Sequence, residues 1–251
     1  MLKVIAERLR QGMRTVAFPQ GEPWLPPRLR GLPRLEKGLC VEGCSACLPA
    51  CPVGALRVGP HGPVLDLGAC TFCGECERAC PTGAIAFTNG HALSSRTREG
   101  LVLHPGEAPR VEALGREMQR LFGRSLKLRQ VSAGGCNACE ADLNVLTTVV
   151  FDLGRFGIEF VASPRHADGI VVTGPVPENM RLGLLKTWQA VPEPKLCIAV
   201  GACAIAGGPF AGSPEVHNGV AGLIPVDLFI PGCPPHPITT LDALLSLLGR
   251  M

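Results

Sequence analysis

The sequence predicts two folded parts in series. A small α+β module spans residues 38–92, and an α/β domain with a mainly parallel, flavodoxin-like sheet spans residues 127–251. Three observations carry this. Eight of the thirteen cysteines stand in two dense, similar blocks in the first third of the chain. Beyond residue 126, short Val- and Ile-rich runs alternate with runs of helical spacing. The flanking segments differ in character: a basic, proline-rich arm at 1–37 and a polar linker at 93–126 that ends in a helical pattern.

Composition narrows the class. With 251 residues and 46% hydrophobic side chains, the chain has material for a substantial core. Thirteen cysteines read as disulfides would imply a small secreted scaffold. Met1 to Arg8, however, holds no long apolar stretch and no small-residue cleavage site, so a reducing, cytosolic compartment is expected. The longest apolar run, Leu196 to Gly212, contains four glycines and a proline. That describes a buried strand and loop rather than a membrane span of about 20 residues. A net charge of +3 is too small to argue for nucleic acid.

The charge is uneven, because residues 1–37 carry eight Lys and Arg against Glu7, Glu22 and Glu36. Met1 to Met13 has the spacing of a short helix with Leu2, Ile5, Ala6 and Leu9 along one face. Phe18 to Pro27 holds four prolines and must run extended. The arm is either a mobile leader or a docking element. In the second reading a basic amphipathic helix meets a membrane or partner, an extended strap follows, and Trp24 is the anchor.

The two cysteine blocks form an internal repeat. Cys44, Cys47 and Cys51 map onto Cys73, Cys76 and Cys80 at a constant offset of 29, and Pro52-Val53-Gly54-Ala55 maps onto Pro81-Thr82-Gly83-Ala84. From Cys70 to Pro81 the spacing is the C-x2-C-x2-C-x3-C-P run of bacterial ferredoxins; the first block has one extra residue between Cys40 and Cys44. Three close thiolates cap three corners of a cubane, and the fourth, before its proline, reaches the other cluster. The spacing therefore assigns Cys40, Cys44, Cys47 and Cys80 to one 4Fe–4S cluster, and Cys70, Cys73, Cys76 and Cys51 to a second. A pair of zinc sites is the alternative; the doubled run ending in Cys-Pro argues against it. The module is thus read as ferredoxin-like.

In the linker, Glu107 to Phe122 reads as one helix with Val111, Leu114, Met118 and Leu121 on a face, closed by Gly123. No chemistry is apparent there, and His61, His91 and His104 are expected at the surface.

In the C-terminal part, Leu126–Val131, Gly157–Val161, Gly169–Thr173, Lys195–Val200 and Val226–Ile230 read as strands, and Asp142–Phe151, Glu178–Gln189 and Thr239–Leu248 as helices. Ligands of such sheets bind at the carboxyl ends of strands. Cys136 and Cys139 follow the first strand, Cys203 the fourth and Cys233 the fifth, a third four-cysteine set at one sheet edge. Cys197 falls inside a strand and is expected to be an inert core thiol. Gly201–Gly208 lacks dinucleotide-loop spacing, and its glycines serve to let backbone approach a bound group.

Gly134–Glu140, Ser163–Asp168, Thr173–Val176, Gly201–Cys203 and Pro231–Pro235, in that order, resemble the small subunit of membrane-bound, energy-converting NiFe hydrogenases such as formate hydrogenlyase. The related respiratory complex I subunit is similar. The resemblance implies a proximal 4Fe–4S cluster on Cys136, Cys139, Cys203 and Cys233, three clusters in all. Residues 1–92 resemble the separate ferredoxin-like subunit of those complexes, here fused. The complex I subunit has adjacent cysteines where Ala138-Cys139 carries one, which favours the hydrogenase branch. Glu140 and Asp142 flank the site as proton carriers or as solvated helix-terminal carboxylates. Arg165 and His166 either couple to the cluster or serve in salt bridges and caps.

The function so implied is electron transfer within an oxidoreductase complex. The resemblance supplies an upstream donor, a formate dehydrogenase or a ferredoxin, and an acceptor, a NiFe-type large subunit. It also supplies membrane-arm subunits and a place on the inner face of the cell membrane. Once three clusters are assigned, Cys197 alone is left over, so no complete active site is expected on this chain. The alternatives are a complex I-like, quinone- or ferredoxin-linked subunit without nickel, and a stand-alone polyferredoxin.

Overall fold

In a computed structural model describing residues 2–109 and 111–251, the arm opens with helix α1 (Leu2–Gln11), none of whose residues is buried. Met1 of the expected helix, and Arg110 of the expected linker helix, lie outside the described residues. The proline-rich stretch then runs without helix or strand, as four prolines demand. Residues 15–32 are nevertheless fastened. The Val16 N–H donates to the Val150 carbonyl at 2.9 Å, and Arg155 donates to the carbonyls of Val16 and Phe18, both at 2.8 Å. The Phe18 ring is buried against the α/β domain, and Gly31 and Leu32 bond to Thr88 and Gly90 of the cysteine module. The arm is thus a strap across both parts of the molecule, whereas Trp24 stays 80% exposed.

The cysteine module contains β1 (Pro33–Leu35), α2 (Cys47–Ala50), β2 (Leu56–Gly59), β3 (Gly62–Asp66), α3 (Glu75–Ala79) and β4 (Ile85–Phe87). The repeat is visible in space, because α2 and α3 occupy matching places and pack together. β1 pairs antiparallel with β4. β2 and β3 form a hairpin, extended by β5 (Val102–Leu103) from the linker.

The linker differs from expectation in two ways. Ser95 exchanges both backbone hydrogen bonds with Phe229, at 3.1 and 2.8 Å, covering a sheet edge that would otherwise be open. The helix is also shorter than its periodicity suggests: α4 covers Arg116–Phe122. Gly115 takes an extended ψ of 155°, which ends helical geometry there. Leu114 is buried from the preceding loop, its N–H bonded to the Leu247 carbonyl, while Leu121 faces solvent. His91, expected at the surface, is 18% exposed in its side chain, edge-on to Phe18 and 3.8 Å from Asp242.

The α/β domain holds β6 (Leu126–Ser132), α5 (Ala138–Val145), β7 (Ile158–Phe160), β8 (Gly169–Thr173), α6 (Glu178–Ala190), β9 (Leu196–Val200), α7 (Gly201–Ala206), β10 (Leu228–Ile230) and α8 (Pro237–Leu247). The five strands are all parallel, in the order β10-β9-β8-β6-β7. This is the flavodoxin-like arrangement, with its topological switch between β6 and β8. Helix α5 starts four residues before its expected Asp142, and α7 replaces part of the expected glycine-rich loop.

Strand alternation sets the layers. Leu126, Leu128, Val171, Leu196, Ile198, Val200, Leu228 and Ile230 share one hydrophobic cluster with Ile238, Leu241 and Leu244 of α8. Ile170, Val172, Cys197, Ala199 and Phe229 share the opposite cluster with Leu184 of α6, Ile205 of α7, and Leu67, Leu93 and Leu101 from the cysteine module and linker. The module therefore helps cover one sheet face, and the two parts share a continuous core. Cys197 is fully buried in it, and burial pushes its thiol pKa up, as expected of an inert thiol.

Candidate iron–sulfur sites

Each expected thiol set is brought together. Burial raises the pKa of Cys40, and the charges of Cys44 and Cys80 add to it; Cys47 is raised by burial and by Cys40, Cys80 and Cys44. In the second set, burial pushes Cys70 up to about 12, helped by Cys76, Cys51 and Cys73. Cys76 rises to about 11, again chiefly by burial, with Cys51 and Cys73 adding. No thiol influences cross between the sets in these shifts. Cys80 thus neighbours the first run, and Cys51 the second. Cys51, Cys70, Cys73 and Cys76 also line a cavity shared with Val53, Leu56, Leu65 and Phe87.

The local backbone explains how the thiols are held. The Ala55 N–H donates to the Cys51 sulfur and the Ala84 N–H to the Cys80 sulfur, both at 3.2 Å, at the same offset of 29. The Phe72 N–H donates to Cys70 at 3.3 Å. At Cys80 the backbone N–H groups of Thr82, Ile85 and Ala84 and the Thr82 hydroxyl outweigh burial, so its pKa falls. Such N–H···S bonds tune cluster potentials, and this donor set fits a cubane.

The third set lies beyond the carboxyl ends of β6, β9 and β10. Cys136 and Cys139 enter α5, Cys203 sits in α7 and Cys233 follows β10. Burial drives Cys139 up to about 12, with Glu140, Cys203, Cys233 and Cys136 contributing; Cys203 rises to about 11 through burial, Cys233 and Cys136. Glycines make room for sulfur. A Cβ on Gly201 would stand 2.6 Å from the Cys139 Sγ, and one on Gly208 2.7 Å from the Cys203 Sγ. Cys136 and Cys233 are exposed. Among the described residues, no three His, Cys, Asp or Glu side chains close on a single-ion position; a cubane spreads its four thiolates over separate corners.

Glu140 is not the solvated carboxylate that its place near a helix start suggests, being 5% exposed. One oxygen accepts from the Ser132 hydroxyl at 2.7 Å and from the Thr173 hydroxyl at 2.6 Å. Burial alone would raise its pKa, but the two hydroxyls prevail and hold it below the ordinary value. Glu140 thereby ties α5 to the ends of β6 and β8. Asp142 is half-buried, with its pKa raised by burial. Arg165 and His166 are exposed on a 3-10 turn after β7, and no side-chain hydrogen bond joins either to a thiol among the described residues.

A cavity of about 270 Å³ separates the second and third sets, lined by Arg28, Arg30, Thr71, Cys73, Cys233 and His236 among others. Arg30 Nε donates to the Phe72 carbonyl at 2.6 Å. The sequence singled out neither arginine for a role here, since both lie some forty residues from the loop they meet.

A duplicated cysteine module packed on a flavodoxin-like sheet, with four more thiols at that sheet's carboxyl edge, defines an iron–sulfur electron-transfer protein. Comparison with known proteins agrees. Residues 136–247 match the family described as NADH ubiquinone oxidoreductase, 20 Kd subunit, and residues 39–84 match the 4Fe-4S dicluster domain. Formate hydrogenlyase subunit 7 of Escherichia coli is 38% identical over 63% of this chain and 62% of its own length. A Pyrococcus furiosus protein described as a probable membrane-bound hydrogenase subunit is 37% identical over 58% of this chain and 87% of its own. A NADH-quinone oxidoreductase subunit of a Roseiflexus species is 42% identical over 52% of this chain and 49% of its own. The chain belongs to the family of iron–sulfur subunits shared by membrane-bound hydrogenases and NADH–quinone oxidoreductases, and it is an electron-transfer subunit of such an oxidoreductase complex.

Proposed function

We propose that this chain carries three 4Fe–4S clusters and serves a NiFe hydrogenase complex of the formate hydrogenlyase type. Cys40, Cys44, Cys47 and Cys80 hold one cluster, Cys51, Cys70, Cys73 and Cys76 the second, and Cys136, Cys139, Cys203 and Cys233 the third. Each cubane, when bound, takes up and returns an electron. The protein supplies thiolates, N–H groups aimed at sulfur and low-dielectric surroundings, which set how tightly that electron is held. The observation that carries the reading is the gathering of twelve thiols into three sets of four, in which each raised thiol feels no thiol outside its own set.

The cavity that Cys73 and Cys233 both line supports an order in which the second-run site adjoins the C-terminal one and the first-run site is outermost. Cys136 and Cys233 are exposed and need a partner surface to exclude water, which suits a NiFe-type large subunit. A formate dehydrogenase or a ferredoxin is the matching donor at the outer site. Anaerobically purified protein is expected to hold about 12 iron and 12 sulfide per chain, with nickel in a co-purifying large subunit. About eight iron overturns the third site. A large subunit without nickel moves the assignment to the complex I-like reading, which the 42% identity to a NADH–quinone oxidoreductase subunit favours.

No helix among the described residues is long and apolar enough to cross a membrane. The arm is the proposed attachment to a membrane arm at the inner face of the cell membrane. Leu2, Ile5 and Leu9 of α1 are exposed on a helix that also carries Lys3, Arg8 and Arg10, as an anionic lipid surface requires. Ile5→Glu is expected to abolish sedimentation with vesicles containing anionic phosphatidylglycerol. Unchanged sedimentation would remove the docking role.

A further inference from the structure

We propose that Arg30 positions the Cys70–Cys76 loop and raises the reduction potential of the iron–sulfur site that this loop carries. The inference rests on the three-site reading and adds a residue outside every ligand motif. The strap holds Arg30 in place from both sides: Phe18 is buried upstream, and Gly31 N–H donates to the Thr88 carbonyl at 2.7 Å downstream. Between these anchors the guanidinium bonds the Phe72 carbonyl at 2.6 Å and lies along the backbone at Gly74. A Cβ added to Gly74 would meet the Arg30 Cδ at 3.1 Å. The contact therefore spans the segment between Cys70 and Cys76.

Two consequences follow from chemistry. A guanidinium cannot lose its proton in a protein, so the charge beside the loop is permanent. Reduction adds one negative charge to a cluster, and a fixed cation nearby favours that state. In a planar trans peptide the Cys73 N–H points opposite the Phe72 carbonyl, so the arginine also fixes the direction of that donor. Other charges near the loop have partners of their own. Glu75 pairs with Arg78, and Glu77 accepts from the Phe87 N–H at 3.1 Å.

The internal repeat provides a natural comparison. At the offset of 29, Thr71 and Phe72 correspond to Glu42 and Gly43. A Cβ on Gly43 would meet nothing within 4 Å, and Glu42 is exposed. The first-run loop is open and bears an anion where the second-run loop is clamped by a cation. Both runs otherwise share the N–H···S pattern at Cys51 and Cys80.

The test is an EPR-monitored redox titration of the full chain, purified anaerobically, with iron counted in every sample. Arg30→Gln is expected to lower the midpoint of one N-terminal centre and leave the other two unmoved. Arg30→Lys, which keeps the charge and a donor, is expected to restore most of the shift. Arg28→Gln, whose residue makes no hydrogen bond to the loop among the described residues, is expected to change little. Full iron with unmoved midpoints in Arg30→Gln overturns the role of Arg30 alone, as does an equal shift in all three centres. Iron well below three clusters in the unaltered chain overturns the three-site reading, and this proposal with it.

Discussion

Gly201→Ala is expected to abolish the C-terminal iron–sulfur centre while the two N-terminal centres persist. Gly201 opens α7 with φ +88°, a conformation that costs an L side chain about 1–3 kcal/mol. The added Cβ would also lie 2.6 Å from the Cys139 sulfur and 3.5 Å from the Gly232 carbonyl. The carbonyl belongs to the turn that presents Cys233, and the Ala202 N–H donates to it at 2.9 Å, so the backbone there has little room to yield. The thiol must move instead, and one ligand leaves its set. Iron is expected to fall from about 12 to about 8 per chain, with one EPR signal lost. Gly222→Ala, where a Cβ meets nothing within 4 Å, is the control and is expected to retain all three. Three intact centres in Gly201→Ala would remove Cys139 from the ligand set.

What the sequence revealed, and what it hid, follows from the range of the interactions. Cubane ligation imposes close spacing along the chain, and duplication repeats it, so eight thiols can be partitioned from spacing alone. Buried parallel strands are nearly continuous apolar runs, and on that signal the expected strand Gly169–Thr173 coincides with β8. Helix α7 escaped because six residues, Gly-Ala-Cys-Ala-Ile-Ala, are too few for periodicity to register. The linker helix is shorter than its pattern predicts because Val111 and Leu114 fall in phase with Met118 without belonging to α4. Leu114 is buried by a backbone bond to the end of α8, a distant partner that supplies no local pattern.

The same reason explains Glu140 and Arg30. Glu140 is kept buried by hydroxyls 8 and 33 residues away, on two strands that neighbour each other only in the folded sheet. Arg30 meets a loop 42 residues on. From sequence, both are ordinary surface charges in helix-start and proline-rich contexts. Where a side chain's partner is a separate element, its role becomes visible once topology is known. Spacing alone does not disclose it.

The second large effect is expected at Leu241, and it tests how the third site depends on the core beneath it. Leu241 is fully buried in α8, in the cluster that includes Leu128, Ile198, Val200 and Ile230 on the sheet. Truncation to alanine removes buried methyl groups and leaves a cavity, at a cost of about 2–5 kcal/mol. Set against a typical total of about 5–15 kcal/mol, that is a large fraction. Helix α8 begins at Pro237, four residues after Cys233, so loosening it frees the turn that presents this thiol. The urea midpoint of Leu241→Ala is expected to fall well below that of the unaltered chain. The C-terminal EPR signal is expected to fade before the N-terminal pair, whose thiols are held by their own repeat. Leu182→Ala on α6, a residue 59% exposed, is expected to stay within about 0.5 kcal/mol of the unaltered chain. If Leu241→Ala matched Leu182→Ala, α8 would not be anchoring the sheet edge. If all three signals faded together, the shared core on the opposite face, through Leu67, Leu101 and Ile170, would be binding the two parts into one cooperative unit.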